Sequence, residues 1–596
     1  MQTGIWLIDF WTWQVIYSDR TLLALCRAAI WYALFFAVLL VPSVRVYGRR
    51  FAAQHGVVLW IASLALAVVM ASLWLWPLAR IEWGMTDDHE WLRYLDPDNH
   101  FSTQSFVEGL KNHAELGGCF KPEKNIARFR PAYYGMKYFE LWFWDGRASG
   151  FGLDRIACMA FFLWGMQRTL QNFTDPLFAW LMTLSLPLFP GGVDIWTRLG
   201  PSEAQGAVGL ALFGIGFSQA WMFAERMRRE SLWKRLLPWV WMALGAAFSF
   251  LSKENFLIVM LPWGVLVLRE LWHRRIPWPG HVVNALLVAA AVALVGILKF
   301  KLNLMKNRTI YGVSVQTPAL LSLVGQGLCA FLCSWQGLVC LAGTAVVLWL
   351  IRRGVKTNCL TTRTAQRMVL DIVIAWGLAG GLYLSQYVFY AGDLNWKDGN
   401  PRYGFPAEFS WYWAAAAVVY RLTSNANLRR CATSRQRLNW WRVAFLVAFL
   451  PGIVIGPHSL AALTRERVEK TQLTHAFFQK LAEECRKDPG RPVIVEVSHP
   501  LYYEQVCLGV PSQYRYAGIT NPRFLDFQKP GPNPVPPMRP LFEKLIPTLE
   551  NASRNGDFGY QPFKPEDFKH KQPLVISIDS KTARNGGEFL GPVPWK

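Results

Sequence analysis

The chain has 596 residues, a formal net charge of +22, 53% hydrophobic residues and only 17% charged ones, with a mean hydropathy of +0.18. A soluble protein of this size carries about one quarter charged residues, so the composition excludes disordered, collagen-like and disulfide-scaffold classes and describes a polytopic, membrane-embedded protein. Ten cysteines are too few for a disulfide framework and no pair has CxxC spacing, while 30 Trp and 38 Phe suit a chain with two membrane interfaces.

The first twenty residues carry Trp6, Phe10, Trp11 and Trp13 but no Lys or Arg before Arg20. They lack the basic start of a signal peptide and read as an interfacial segment. Apolar runs then predict about twelve spans, near 21–42, 57–79, 153–170, 175–190, 204–224, 236–251, 254–268, 281–299, 336–351, 369–390, 410–421 and 443–460. The stretch 317–351 is too long for one crossing, so its first half is expected along the surface and its second half across the membrane.

Alternate connections are basic: Arg45, Arg49 and Arg50; Arg226 to Arg235; Arg269, Arg274 and Arg275; Arg352 to Arg367; and Arg421 to Arg442. The positive-inside rule makes these cytoplasmic. The net charge is thus a topology signal, and nucleic acid is not an expected partner. The remaining connections fall outside: about 80–152, 190–203, the turn Ser252–Glu254, 300–335, 391–409 and everything after 461. The expected architecture is a polytopic α-helical membrane domain over 1–460, whose first large outer loop is about 80–152, followed by an extracytoplasmic soluble α/β domain over 461–596. In that tail, 465–486 has a helical pattern, 491–498 and 573–579 read as strands, Tyr502–Leu508 reads as a second helical stretch, and 527–540 is Pro-rich. The tail can position an acceptor or only pack on the loops. Cys485, Cys507 and Cys119 would all lie outside, where a disulfide is permitted.

Residues suited to chemistry gather in the outer connections. Just after the second span comes Gly84-Met85-Thr86-Asp87-Asp88-His89-Glu90-Trp91. Adjacent carboxylates repel and raise one pKa, a cost tolerated where a cation or a proton transfer uses it; alternatively the doublet caps the helical stretch that follows. Arg128-Phe129-Arg130-Pro131-Ala132-Tyr133 lies later in that loop, and Arg198-Leu199-Gly200-Pro201-Ser202-Glu203 closes the next outer connection. Lys253 and Glu254 occupy a tight turn, where they either serve a site or snorkel and pair with each other. Asn400-Pro401-Arg402-Tyr403-Gly404 precedes a later span, and an Arg there can hold a phosphate bidentately.

Together these segments resemble the GT-C superfamily of polytopic glycosyltransferases, which includes aminoarabinose, protein O-mannosyl and arabinofuranosyl transferases. The resemblance covers roughly 57–460 and is carried by the Asp87-Asp88 doublet, RFRP, LGPSE, SKEN and NPRYGFPAE. It implies a transferase that moves a sugar from a polyprenyl-phosphate-linked donor to an acceptor hydroxyl of a protein, lipid or glycan. Asp87 or Asp88 inherits the role of base, and Arg402, with Lys253, that of holding the donor phosphate. His89, Glu90, Arg128, Arg130, Tyr133, Arg198, Glu203, Glu254 and Tyr403 are cavity candidates. Such chemistry needs one base for an inverting displacement and cations, or a metal such as Mg or Mn near His89 and Glu90, for the departing phosphate. No GxGxxG, Walker A or GxSxG sequence occurs, which argues against a nucleotide donor and a serine nucleophile. Two rival classes share the topology: a glycan polymerase or ligase, and a lipid-linked-sugar transporter or flippase.

Overall fold

The computed structural model describes residues 56–85, 89–92, 94–112, 129–174, 176–185, 190–227, 230–272, 275–297, 309–310, 313–314, 317–333, 335–389, 435–497, 505–527, 539–568 and 572–578. The main helices are α1 (Gly56–Leu75), α2 (Pro131–Phe143), α3 (Ala148–Gln171), α4 (Glu203–Met227), α5 (Leu232–Ser252), α6 (Met260–Trp272), α7 (Trp278–Gly296), α8 (Trp335–Lys356), α9 (Thr362–Phe389) and α10 (Arg435–Lys487). The protein is a helical membrane protein. Among the described residues six helical stretches are long and apolar enough to cross a bilayer: Val58–Arg80, Leu232–Ser252, Glu254–Trp272, Trp278–Gly296, Gly337–Lys356 and Thr362–Leu384.

These six coincide with six of the twelve expected spans. The expected spans at 153–170 and 204–224 are the helices α3 and α4; Asp154, Arg155 and Arg168 interrupt the apolar run of the first. At 175–190 the described helices are Pro176–Ser185 and Pro190–Thr197, and residues 186–189 between them lie outside the described residues. The runs at 21–42 and 410–421, and the aromatic segment of the first twenty residues, lie outside the described residues.

Lipid-facing surfaces are evident from exposed apolar side chains: Leu73 is 67% exposed, Leu286 66% and Leu268 69%. Trp233, Trp272 and Trp278 stand exposed where α5 begins, α6 ends and α7 begins, the level at which aromatic rings gather at a membrane interface. Inside the bundle no hydrophobic force drives helices together, so close approach of small residues does. α4 packs on both α3 and α5 because its glycines leave room. A Cβ on Gly216 would lie 2.2 Å from the carbonyl oxygen of Pro238, and one on Gly245 2.2 Å from the amide of Phe213.

α10 runs without a break over 53 residues, about 80 Å, and passes straight through the expected boundary at 460/461. Its end packs on a sheet of three parallel strands, β1 (Val493–Val497), β2 (Arg523–Phe527) and β3 (Leu574–Ile578), in the order β2-β1-β3. β1 reads VIVEV and is almost wholly buried, as expected for a central parallel strand covered on both faces. Phe478, Leu481 and Cys485 of α10, Tyr514 of α11 (Val510–Tyr516) and Leu549 and Ala552 of α12 (Arg539–Asn555) fill that core. Met85, from the connection that follows the first described span, joins them at 1% exposure. Cys485 and Cys507 are buried free thiols, so neither forms the disulfide that their placement permits; Cys119 lies outside the described residues.

Gly245→Leu overpacks the α4–α5 contact and is expected to cost about 1–3 kcal/mol. Gly264, on α6, has nothing within 4 Å of an added Cβ. Thermal unfolding in detergent checks the pair: the midpoint falls for Gly245→Leu and stays near wild type for Gly264→Leu.

Candidate functional site

Three of the sequence segments singled out above meet at one end of the bundle. Each lies at a helix terminus, which is why its backbone can turn inward. Pro131 takes the first turn of α2, where its fixed φ is already helical and its missing N–H costs nothing, and places Arg130 at the cap with φ −131° and ψ 64°. Glu203 opens α4, where the helix dipole favours a carboxylate. α5 stops at Ser252, Lys253 is extended at φ −154° and ψ 129°, and a 3-10 run over Glu254–Val259 begins next to it.

The side chains pair across segments. Arg130 donates from Nε to Glu254 Oε2 and from Nη2 to Glu254 Oε1, both at 2.7 Å, the planar fork geometry that Arg alone provides. Its Nη1 also reaches Ser202 Oγ at 3.3 Å. Lys253 donates to Glu203, and Tyr133 donates to the Gly200 carbonyl. Arg155 of α3 donates to the carbonyls of Leu199 and Pro201. Arg130, Glu203 and Lys253 are 6%, 2% and 3% exposed. Lys253 and Glu254 therefore neither snorkel nor pair with each other; each is committed to a partner from a different segment. Lys253, a candidate for the donor phosphate, is turned onto Glu203 and away from any open surface. Arg198 is half-buried beside this group. Below it, Asn255 Nδ2 donates to Gln386 Oε1 of α9 at 3.0 Å.

Asp87, Asp88, Arg128, Arg402 and Tyr403 lie outside the described residues, as do the side chains of His89 and Glu90. A short helix, His89–Leu92, begins directly after the doublet. Its two flanks are fixed. On one side Gln513 of α11 donates to the carbonyls of Trp83 at 2.8 Å and Gly84 at 3.2 Å, and Met85 is buried in the core beside the sheet. On the other, Trp91 is fully buried and packs edge-on against Tyr133 with ring centroids 5.8 Å apart. Tyr133 itself belongs to the buried polar group. Among the described residues no cluster of three or more His, Cys, Asp or Glu could hold a metal ion.

The sequence gave no warning of a second polar junction. Glu82, just beyond the end of the first described span, lies near His475 and Tyr516: burial pushes the Glu82 carboxyl up and the charge on His475 opposes this. The rings of His475 and Tyr516 lie 5.9 Å apart. The Glu82 amide donates to Thr471 Oγ1 at 3.2 Å across 389 residues of sequence. The only signal available in sequence was an acidic residue placed at a span end next to Arg80. Among the tail tyrosines, Tyr514 is buried beneath Arg523, whose guanidinium lies 5.2 Å from its ring, so it serves the core; Tyr502 and Tyr503 lie outside the described residues.

No family model, no curated protein and no solved structure matches this chain.

Two measurements check the site. Arg130→Met and Glu254→Met each strand a buried charge and are expected to cost about 3–5 kcal/mol, whereas the double variant costs less than either because no charge is left alone; unfolding midpoints in detergent read this. For Glu82 the folded pKa lies above the unfolded one, so its favourable contribution is complete below about pH 4 and is lost as pH rises through the folded value. Glu82→Gln is therefore expected to gain stability relative to wild type between about pH 4 and pH 7.

Proposed function

We propose that this chain is an inverting GT-C-type glycosyltransferase of the inner or plasma membrane, transferring a sugar from a polyprenyl-phosphate-linked donor to an acceptor hydroxyl at the extracytoplasmic face. The observation that supports this most is the convergence of RFRP, LGPSE and SKEN at one bundle end, with both flanks of the Asp87-Asp88 doublet anchored beside them. In this reading the membrane domain has about twelve spans, and the sheet-containing tail is a soluble α/β domain on the same face, placed to guide a protein, lipid or glycan acceptor.

The chemistry assigns one carboxylate of the doublet as base. It takes the proton from the acceptor hydroxyl as that oxygen attacks the anomeric carbon; the bond from that carbon to the phosphate oxygen breaks, and the phosphate leaves with the electron pair. Arg402 holds the departing phosphate. The buried pairs Arg130–Glu254 and Lys253–Glu203 are saturated internally, so their role is to hold the three helix ends in register around the reacting groups, a positioning role whose loss is felt at the chemistry.

The test uses the purified protein in detergent with polyprenyl-phosphate sugars. Asp87→Asn or Asp88→Asn is expected to lower transfer by about 10²–10⁴-fold with the fold intact, and Arg402→Ala to lower it as well. Transfer unchanged in all three, or no transfer by the wild type, rejects the enzyme reading and directs attention to transport of the same lipid.

A further inference from the structure

A groove of about 780 Å³ runs between the end of α1 with its following turn and the stretch Ala461–Gln472 of α10. That volume is within the range of about 300–1,000 Å³ typical of ligand sites. One wall changes character along its length: Val68, Val69 and Leu73, 46%, 52% and 67% exposed on the lipid-facing side of the span, are followed by Trp76 and then Arg80. The other wall carries Arg465, Glu469 about one turn further on, and then Gln472. The two walls are in register, because Gln472 Nε2 donates to the Arg80 carbonyl at 2.9 Å.

A groove open sideways at apolar residues and closed by charge at the interfacial tryptophan fits an amphiphile drawn from the bilayer. The charges identify its head. Arg80, Arg465 and Glu469 are all exposed, and among the described residues none of their side chains forms an ion pair or hydrogen bond. Two cations with one anion beside them complement a phosphodiester carrying a neighbouring ammonium group. A headgroup with phosphate alone would leave Glu469 facing like charge.

We infer that the groove binds one bilayer glycerophospholipid with an aminoethyl headgroup: its phosphate on Arg80 and Arg465, its ammonium on Glu469, and an acyl chain along Val68, Val69 and Leu73. The bound lipid spans the joint between the first described span and the helix that carries the sheet. The inference is independent of the glycosyltransferase reading, since it uses none of the residues assigned to transfer.

The experiment is native mass spectrometry of the full chain titrated with dioleoyl phosphatidylethanolamine or dioleoyl phosphatidylglycerol, with unfolding midpoints as a check on folding. Wild type is expected to retain one ethanolamine lipid in preference to the glycerol lipid. Arg80→Ala/Arg465→Ala should weaken retention about tenfold or more, the scale of one lost charge-assisted contact, and Glu469→Gln should reverse the headgroup preference. Equal retention by the double variant, a wild-type preference for the glycerol lipid, or a polyprenyl lipid co-purifying in the groove would each overturn the inference.

Discussion

Two buried ion pairs that cross between chain segments organise one end of this molecule. Removing a charge from water costs several kcal/mol even after relaxation, so Arg130, Glu254, Lys253 and Glu203 can be buried only together. That requirement ties the start of α2, the start of α4 and the break after α5 to one place. A third buried pair, Lys137 with Glu140 at 2.5 Å, continues the same logic about two turns further along α2; burial pulls the Lys137 pKa down. The glycine contacts between α4 and its neighbours then hold the shafts of the helices at the short separation the paired ends demand.

The junction with the sheet follows from this arrangement. The chain leaves α1 at Arg80, is gripped by Thr471 and Gln513, buries Met85 beside the sheet and then buries Trp91 against Tyr133. The segments on either side of the acidic doublet are thus held, one by the sheet-bearing unit and the other against Tyr133.

How much of this was legible beforehand differs by feature. The six strongly apolar spans were readable because lipid contact demands long uninterrupted apolar runs. Two of the three strands were visible as VIVEV and LVISI, whereas Arg523–Phe527 was not read as a strand. The contacts Arg130–Glu254, Lys253–Glu203 and Asn255–Gln386 bring separate polar segments to one end of the bundle; the side that end faces rests on the basic loops alone. Partner choice was not legible. Neighbours in sequence, Lys253 and Glu254, looked like partners, yet the extended conformation at Lys253 turns them onto different segments. The proximity of Glu82 to His475 was hidden because a contact over so many residues leaves no periodic trace.

The central claim is that the polar end of the bundle faces away from the cytoplasm. α9 fixes the geometry: Gln386 meets Asn255 at the polar end, while its first residue, Thr362, follows the exposed Cys359 at the other. In a background with the other cysteines changed to serine, Gln104→Cys in the first outer loop and native Cys359 are labelled with a membrane-impermeant maleimide. The account predicts labelling of Gln104→Cys in intact cells and of Cys359 only after permeabilisation. Labelling of Cys359 in intact cells, with Gln104→Cys protected until lysis, would contradict it.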